Sequence, residues 1–360
     1  MKMTQEVEKH KKLKSQYKKL VAEKVLFLIT IAILTVILSV YAISSGSSDL
    51  SFSDVLKAFL GRSDERTALI VFDIRLVRVV AAILAGIGLA IGGAAIQSLF
   101  HNPLASPFTL GISQGAAFGA AIGIIVLGGG VASSAASDSV TILHPSVVVV
   151  CAFLGSMLST GVVLALAQIK RFSPEAVVLS GVALSSLFSA ATTIIQYFAS
   201  DVKIAALVFW TFGDIGRATW DDVKIMAVFV ILAWLYFLAN SWNYNAIASG
   251  EDVAKSLGVN VERTRFFGIL VSSFITSVIV SFLGIISFIC LVAPHIARRF
   301  IGNDQRFLTM ASGLVGAFLL LLSDTVARLI IQPVVLPVGA VTSFLGAPLF
   351  MYLLIRGKKV

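Results

Sequence analysis

Two arginines, Arg75 and Arg78, stand three residues apart on adjacent turns of one helix face, where an apolar, glycine-rich run begins. Asp324 and Arg328 stand four apart near the end of a later apolar run, a spacing that permits an ion pair. Charge at the end of an apolar helix has two uses. It can snorkel to lipid headgroups, or it can receive an oppositely charged partner. The spacing leaves both open. A third candidate is the segment from Gly250 to Gly258, in which Glu251 and Asp252 open a short amphipathic helix. Its glycines punctuate the ends, and Ala254 and Leu257 give it one apolar face. Such a helix suits contact with another subunit; the alternative is an ordinary solvated loop.

Bond-breaking chemistry has no foothold. No GxxxxGK[ST] phosphate loop occurs, so ATP hydrolysis of the Walker type must come from a partner. His10, His101, His144 and His295 lie in separate segments without HExxH or CxxC spacing, and no metal site or bound cofactor is expected. Aspartate and glutamate are nearly absent from the apolar runs, which removes any Ser/His/Asp arrangement. Cys151 and Cys290 lie in apolar surroundings and read as packing residues.

The elements that position these residues are membrane helices. Of 360 residues 58% are hydrophobic and 13% charged, with a mean hydropathy of +0.96. A soluble domain carries about 25% charged residues. Apolar runs recur at lengths that cross roughly 30 Å of hydrocarbon. They predict ten spans, at 24–44, 76–100, 105–128, 146–169, 175–199, 221–241, 264–286, 287–299, 307–329 and 337–355. The class is an all-α polytopic membrane protein: a Lys-rich tail over 1–23 and a single transmembrane domain over 24–360. The run after Lys24 has span length and no small-residue cleavage site, so it reads as a spanning helix.

The formal charge of +9 gathers on one side rather than marking a nucleic-acid site. Eight lysines precede the first span. With Lys170, Arg171, Lys255, Arg263, Arg265, Arg298, Arg299, Arg306, Arg356, Lys358 and Lys359 they place 19 of the 28 Lys and Arg residues on the face shared by both termini. The positive-inside rule makes that face cytoplasmic in the cell membrane. Arg75, Arg78, Asp324 and Arg328 then lie outside, with a short surface helix expected in SDLSFSDVLKAF.

Two stripes remain. Gly111, Gly115, Gly119 and Gly123 repeat every fourth residue, as do Gly88 and Gly92, which permits close helix packing and is also compatible with gating. Ser185, Ser189, Thr192, Thr193 and Gln196 share one helix face. They either line a wet pathway or satisfy themselves on their own backbone.

The stretches RLVRVVAAILAGIGLAIGGAAIQSLFHNPLASPFTLGISQGAAFGA, GEDVAKSLGVNVERTR, ISFICLVAPHIARRFIGNDQR and DTVARLIIQPVVLPVGAVTSFLGAPLFMYLLIR together resemble the FecCD-type permeases. These are membrane subunits of ABC importers for iron–siderophores, cobalamin, haem and related chelates. The resemblance runs from about residue 70 to 358. It implies a type II ABC importer permease fold, a homodimer, two cytoplasmic ATPase subunits that use ATP and Mg, and an extracytoplasmic binding protein. By motif position, Arg75, Arg78 and Arg328 match arginines that receive acidic residues of the binding protein. Gly250, Glu251, Ala254, Leu257 and Gly258, within a segment at about 246–258, match the coupling helices. Asn102 and Leu104 match the inner gate, with Ser173 in the facing hairpin a weaker match; the pathway-lining reading of Ser185, Ser189, Thr192 and Gln196 rests on their shared helix face alone. Val77 departs from the usual Arg-Leu-Pro-Arg, and Ser173-Pro174-Glu175 is idiosyncratic. The competing class, an ion-coupled secondary transporter, requires ionisable residues at the membrane midplane, and Asp324 is its one candidate.

Overall fold

The computed structural model describes residues 2–46, 50–128, 131–134, 139–142 and 144–356. The expected basic anchors Lys358 and Lys359 lie outside the described residues. The helices are α1 (Lys2–Ser44), α2 (Phe52–Phe59), α3 (Glu65–Leu69), α4 (Val77–Leu99), α5 (Ile112–Ala121), α6 (Pro145–Ile169), α7 (Pro174–Tyr197), α8 (Asp201–Thr211), α9 (Trp220–Ala239), α10 (Ser241–Ala248), α11 (Glu251–Ser256), α12 (Val261–Leu283), α13 (Ile289–Ile301), α14 (Gln305–Leu329) and α15 (Val338–Arg356). A π turn, Ile70–Leu76, joins α3 to α4 in one helical run.

Among the described residues, seven helices are long and apolar enough to cross a membrane: those carrying α1, α4, α6, α7, α9, α12 and α14. The other three expected spans are shorter. The run 105–128 breaks into a 3-10 turn, Pro107–Leu110, and a helix over Ile112–Val126. Ser106 caps that turn, its hydroxyl accepting from the Thr109 N–H at 3.4 Å, and Pro107 pre-sets its first position. Gly111, at φ 80°, then redirects the chain into α5. The span at 287–299 becomes the 13-residue α13, and the last becomes α15.

Helix α4 is the shaft of the bundle. It is apolar all round and buried over nearly its whole length, packing on α14, α12, α9 and α13. Glycines set these approaches. A Cβ on Gly86 would strike the backbone of Gly316 in α14, and one on Gly93 would strike the carbonyl of Cys290 in α13. The expected glycine stripe works the same way between α5 and α6, where Gly115 and Gly119 meet the backbone of Gly155 and Cys151. Gly111 stands apart from it as a turn residue.

The sequence reading did not anticipate three features. The Lys-rich tail is helical and runs without a break into the first span, so that α1 is one 43-residue helix, roughly 65 Å long. Its packing on the bundle is marked by Lys24, 5.0 Å from the Phe307 ring, and by Phe27, stacked on Phe300 at 4.8 Å. A β-hairpin pairs β1 (Val131–Ser134) with β2 (Ser139–Ile142), Val131 opposite Ile142. Beside it lies α8, whose Lys203 ammonium donates to the Ile125 carbonyl at 2.9 Å. The surface helix in SDLSFSDVLKAF is α2, with a capping box between Ser51 and Asp54.

Close packing is testable by contrasting two glycines. Gly93→Val should cost about 3 kcal/mol or more and collapse the yield of monodisperse protein, because backbone cannot move aside as a side chain can. Gly161, on the exposed side of α6 with open space around its Cβ position, should accept alanine with a gain of up to about 1 kcal/mol. Thermal unfolding in detergent reads both.

Candidate functional site

At one end of the bundle Arg75, Arg78 and Arg328 come together, and their side chains are turned into the protein. Arg75 sits in the π turn with 5% of its surface exposed. Its Nη1 donates to the carbonyls of Ile43 at 2.7 Å and Ser44 at 3.1 Å. Arg328 donates through Nη2 to the Ala42 carbonyl at 3.2 Å and through Nη1 to that of Ser45 at 3.3 Å. The last carbonyls of α1 have no intrahelical partner and carry the negative end of the helix dipole, so two guanidiniums cap one helix.

Arg78 turns the other way. Its Nε donates to both carboxylate oxygens of Asp324, at 2.9 and 3.1 Å, and its Nη2 lies 2.9 Å from Oδ1. The same Nη2 is 3.4 Å from Asp214, and Asp324 pairs in turn with Arg328 Nε at 3.2 Å. Asp324 is wholly buried. A buried carboxylate survives only when paired and hydrogen-bonded, and here it has two guanidiniums. Gly216 rests directly on the Arg78 guanidinium, where any side chain would collide with it. Asp214 and the neighbouring Arg217, whose Nη2 donates to the Phe209 carbonyl at 3.1 Å, belong to this cluster. Sequence reasoning missed both, although Gly213-Asp214-Ile215-Gly216-Arg217 carries the composition of a turn.

The opposite end joins the gate and coupling candidates. Asn102 Oδ1 accepts from the Leu104 N–H at 2.9 Å, which shapes the turn and leaves Leu104 half exposed. His101, at φ 49°, sets its Nε2 2.9 Å from the carbonyl of Ile247 in α10. Arg265, near the start of α12 and buried, donates through Nη2 to Glu251 of α11 at 2.7 Å and through Nε to the Leu99 carbonyl at 3.3 Å. The end of α4, the turn, α10, α11 and α12 are thereby one hydrogen-bonded unit.

One expectation at this end needs correction. Ala254 and Leu257 do not share a face: Ala254 is fully buried, whereas Leu257 is 68% exposed. Helix α11 ends at Ser256, so Leu257 falls past the last helical turn and swings outward, and Val253 is the exposed apolar residue beside it. Gly250 and Gly258, at φ 121° and 80°, are the turns that bound α11. Ser173 caps α7, its Oγ accepting from the Ala176 N–H at 3.3 Å. Among the described residues no bond joins it to Asn102 or Leu104. The two hairpins meet instead through an apolar cluster that includes Phe100, Ala105, Phe172 and Val177.

Between the ends, Ser185 and Thr192 donate to the carbonyls of Gly181 and Phe188, both at 2.8 Å, satisfying themselves on their own helix. Ser185 and Ser189 line a groove of about 470 Å³ with Gln114, Ser186, Ala190 and Thr193, whereas Thr192 and Gln196 lie off it. No group of three His, Cys, Asp or Glu residues among the described residues is placed to hold a metal. At the head of α14, Asp304 takes up Arg306 at 2.7 Å and Asn245 at 3.1 Å. The Arg306 hydrogen bonds, against the opposing effect of partial burial, hold its carboxyl down at about 2.

Seven helices among the described residues are long and apolar enough to cross a membrane, which makes this a multi-pass membrane protein, with buried charge at one end and a hydrogen-bonded surface helix at the other. Residues 33–356 match the FecCD transport family, and the chain belongs to that family. It is 49% identical over 344 residues to a Methanocaldococcus jannaschii protein named as an ABC transporter permease, covering 96% of this chain and 98% of that one. It is 32% identical over 327 residues to the hemin transport system permease protein of Yersinia pestis, covering 91% and 94%. A solved inward-facing conformation of a metal-chelate type ABC transporter superposes with a TM-score of 0.79 at 28% identity, covering 91% of this chain and 98% of that one.

Asp324→Asn leaves two buried guanidiniums short of one negative charge and should destabilise the protein by about 3–5 kcal/mol, read as a lowered melting temperature. Asp304 titrates in the opposite sense to a raised group. Its folded value of about 2 lies below the ordinary aspartate value near 3.9, so its contribution is full above that value and disappears as pH falls through about 2. Acid titration of the wild type against Asp304→Asn should show the two curves converging in that window.

Proposed function

We propose that this chain is the permease subunit of an ATP-driven ABC importer for a metal chelate and that two copies enclose the translocation pathway. The termini and α10–α11 face the cytoplasm, where two partner ATPase subunits bind and hydrolyse ATP with Mg. An extracytoplasmic binding protein delivers substrate at the arginine end. The basic bias of the tail and loops supports this orientation. The fold, the family and the relatives named for hemin and for metal-chelate transport support the substrate class.

One observation carries the coupling mechanism: Arg265 bridges Glu251 of α11 to the last carbonyl of α4, while His101 bridges the gate turn to α10. A displacement of α10–α11 by the ATPases therefore moves the Asn102–Leu104 turn without passing through a flexible loop. Exposed Val253 and Leu257 form the apolar contact for the partner, and Glu251 orients the lever from within. The ATPases bias which of two conformations is populated, and the chain supplies the contacts that distinguish them.

At the arginine end, Arg75, Arg78 and Arg328 act on an acidic partner through their field. Four arginines, Arg217 included, face two aspartates, Asp214 and Asp324, so the cluster is positive by two charges, and electrostatic complementarity of this kind speeds and orients encounter. The Ser185–Ser189 groove is a hydroxyl-lined part of the pathway wall. Asp324, paired twice and wholly buried, is poorly suited to the proton or sodium coupling that a secondary transporter needs.

In proteoliposomes containing the ATPase and binding protein, Arg265→Gln should leave ATP hydrolysis within about twofold of wild type and cut substrate uptake at least about tenfold. Equal loss of both activities, or normal uptake, would overturn the lever. Without the ATPase, the chain should not accumulate substrate under any ion gradient.

A further inference from the structure

A cavity of about 450 Å³ opens between the end of α9, the start of α10 and the start of α12. Of its lining residues only Gly258, a turn that bounds α11, enters the transport mechanism above. Its lining is rich in hydrogen-bond donors and contains no carboxylate: Asn240, Asn243 and Asn260 supply amides, and Arg263 supplies a guanidinium. The amides are ordered by their neighbours. Asn240 Nδ2 donates to the Tyr236 carbonyl at 2.9 Å, and its Oδ1 accepts from Asn243 Nδ2 at 3.1 Å. Asn260 Oδ1 accepts the Arg263 N–H at 2.9 Å, which leaves its amide hydrogens uncommitted. Arg263 has no acidic partner among the described residues. Its guanidinium lies 5.8 Å from the ring of Phe267, which is 39% exposed on the next turn of α12.

Depth fixes the kind of ligand. The cavity sits where two spanning helices end, α9 at Ala239 and α12 at Val261, so it lies at the boundary between hydrocarbon and water. A ligand there meets several donors and a positive charge on the watery side and an exposed aromatic ring one turn deeper. That combination fits an amphiphile with an anionic, oxygen-rich head and an apolar tail. Basic pockets between spanning helices bind phospholipid head groups on the same physical basis.

We propose that this cavity is a binding site for an anionic phospholipid, with the phosphate held by Arg263, Asn243 and Asn260 and the acyl chain lying along Phe267. The site stands independently of the transport reading, because it requires only that α9 and α12 cross the bilayer.

The test uses the delipidated full-length chain in detergent, with native mass spectrometry for retained lipid and thermal unfolding for the shift on adding lipid. The probes are phosphatidylglycerol, phosphatidylcholine and inorganic phosphate. Phosphatidylglycerol should remain bound and raise the melting temperature. Arg263→Gln should weaken that binding about tenfold and Asn243→Ala by a smaller factor, a scale set by loss of a charge-assisted hydrogen bond. Lys224→Gln, which removes an exposed charge near the opposite end of α9 from the cavity, should bind as wild type does. Equal binding of phosphatidylcholine, an unchanged Arg263→Gln or an equal loss in Lys224→Gln would overturn the site. An equal shift with inorganic phosphate would overturn the lipid assignment in favour of a soluble anion.

Discussion

A carboxylate with no access to solvent, Asp324, governs one end of this bundle. Isolated in a low-dielectric interior it would be several kcal/mol too costly to keep charged, so its two guanidinium partners are a condition of the fold. Meeting that condition draws Arg78 of α4 and Arg328 of α14 to a common point. Arg328 then has donors left over for the open carbonyls of α1, which Arg75 also fills. Three helices and the Ile215–Arg217 turn are located by one charge-balancing problem. The same solution explains how three arginines persist at the end of an apolar bundle without opening to water.

The other end is organised by donors and acceptors that helix geometry leaves over. Leu99 closes α4 with a carbonyl that has no partner in its own helix, and Arg265 supplies one. Gln97 and Ser98, immediately before it, are buried and are engaged by Arg298 at 3.0 Å and by Gln305 at 2.7 Å. Helix α4 is thus pinned at both ends and packed backbone to backbone along its length. Such a shaft moves as a body, which is what a transport cycle driven from one face requires.

Much of this was legible in the sequence because it is written in local patterns. Apolar run length located the spans, the four-residue glycine spacing announced the α5–α6 contact, and the Gly250–Gly258 punctuation outlined α11. What was not legible depends on partners far along the chain. The Arg78–Asp324 pair spans 246 residues, and nothing local tells an arginine that will find a buried carboxylate from one that will snorkel. Leu257 was misplaced because helical periodicity was carried one residue beyond the helix. The hydroxyl stripe of α7 was read correctly as a face, but periodicity could not say which members would meet the groove. The motif resemblance identified the arginines as a group, and only the fold shows that their guanidiniums are turned inward.

The π turn at Ile70–Leu76 has a bearing on how this end can change over time. A π turn is a helix carrying one residue more than its α-helical pitch allows, and it commonly marks a functional site. Removing Leu76 from it would restore regular pitch and rotate everything upstream by roughly 100° relative to α4. Arg75, which lies within the turn, would then lose the carbonyls of α1 while Arg78 kept Asp324. A single-codon deletion here would therefore be a sharper lesion than most substitutions, even though it leaves every charged side chain in the chain.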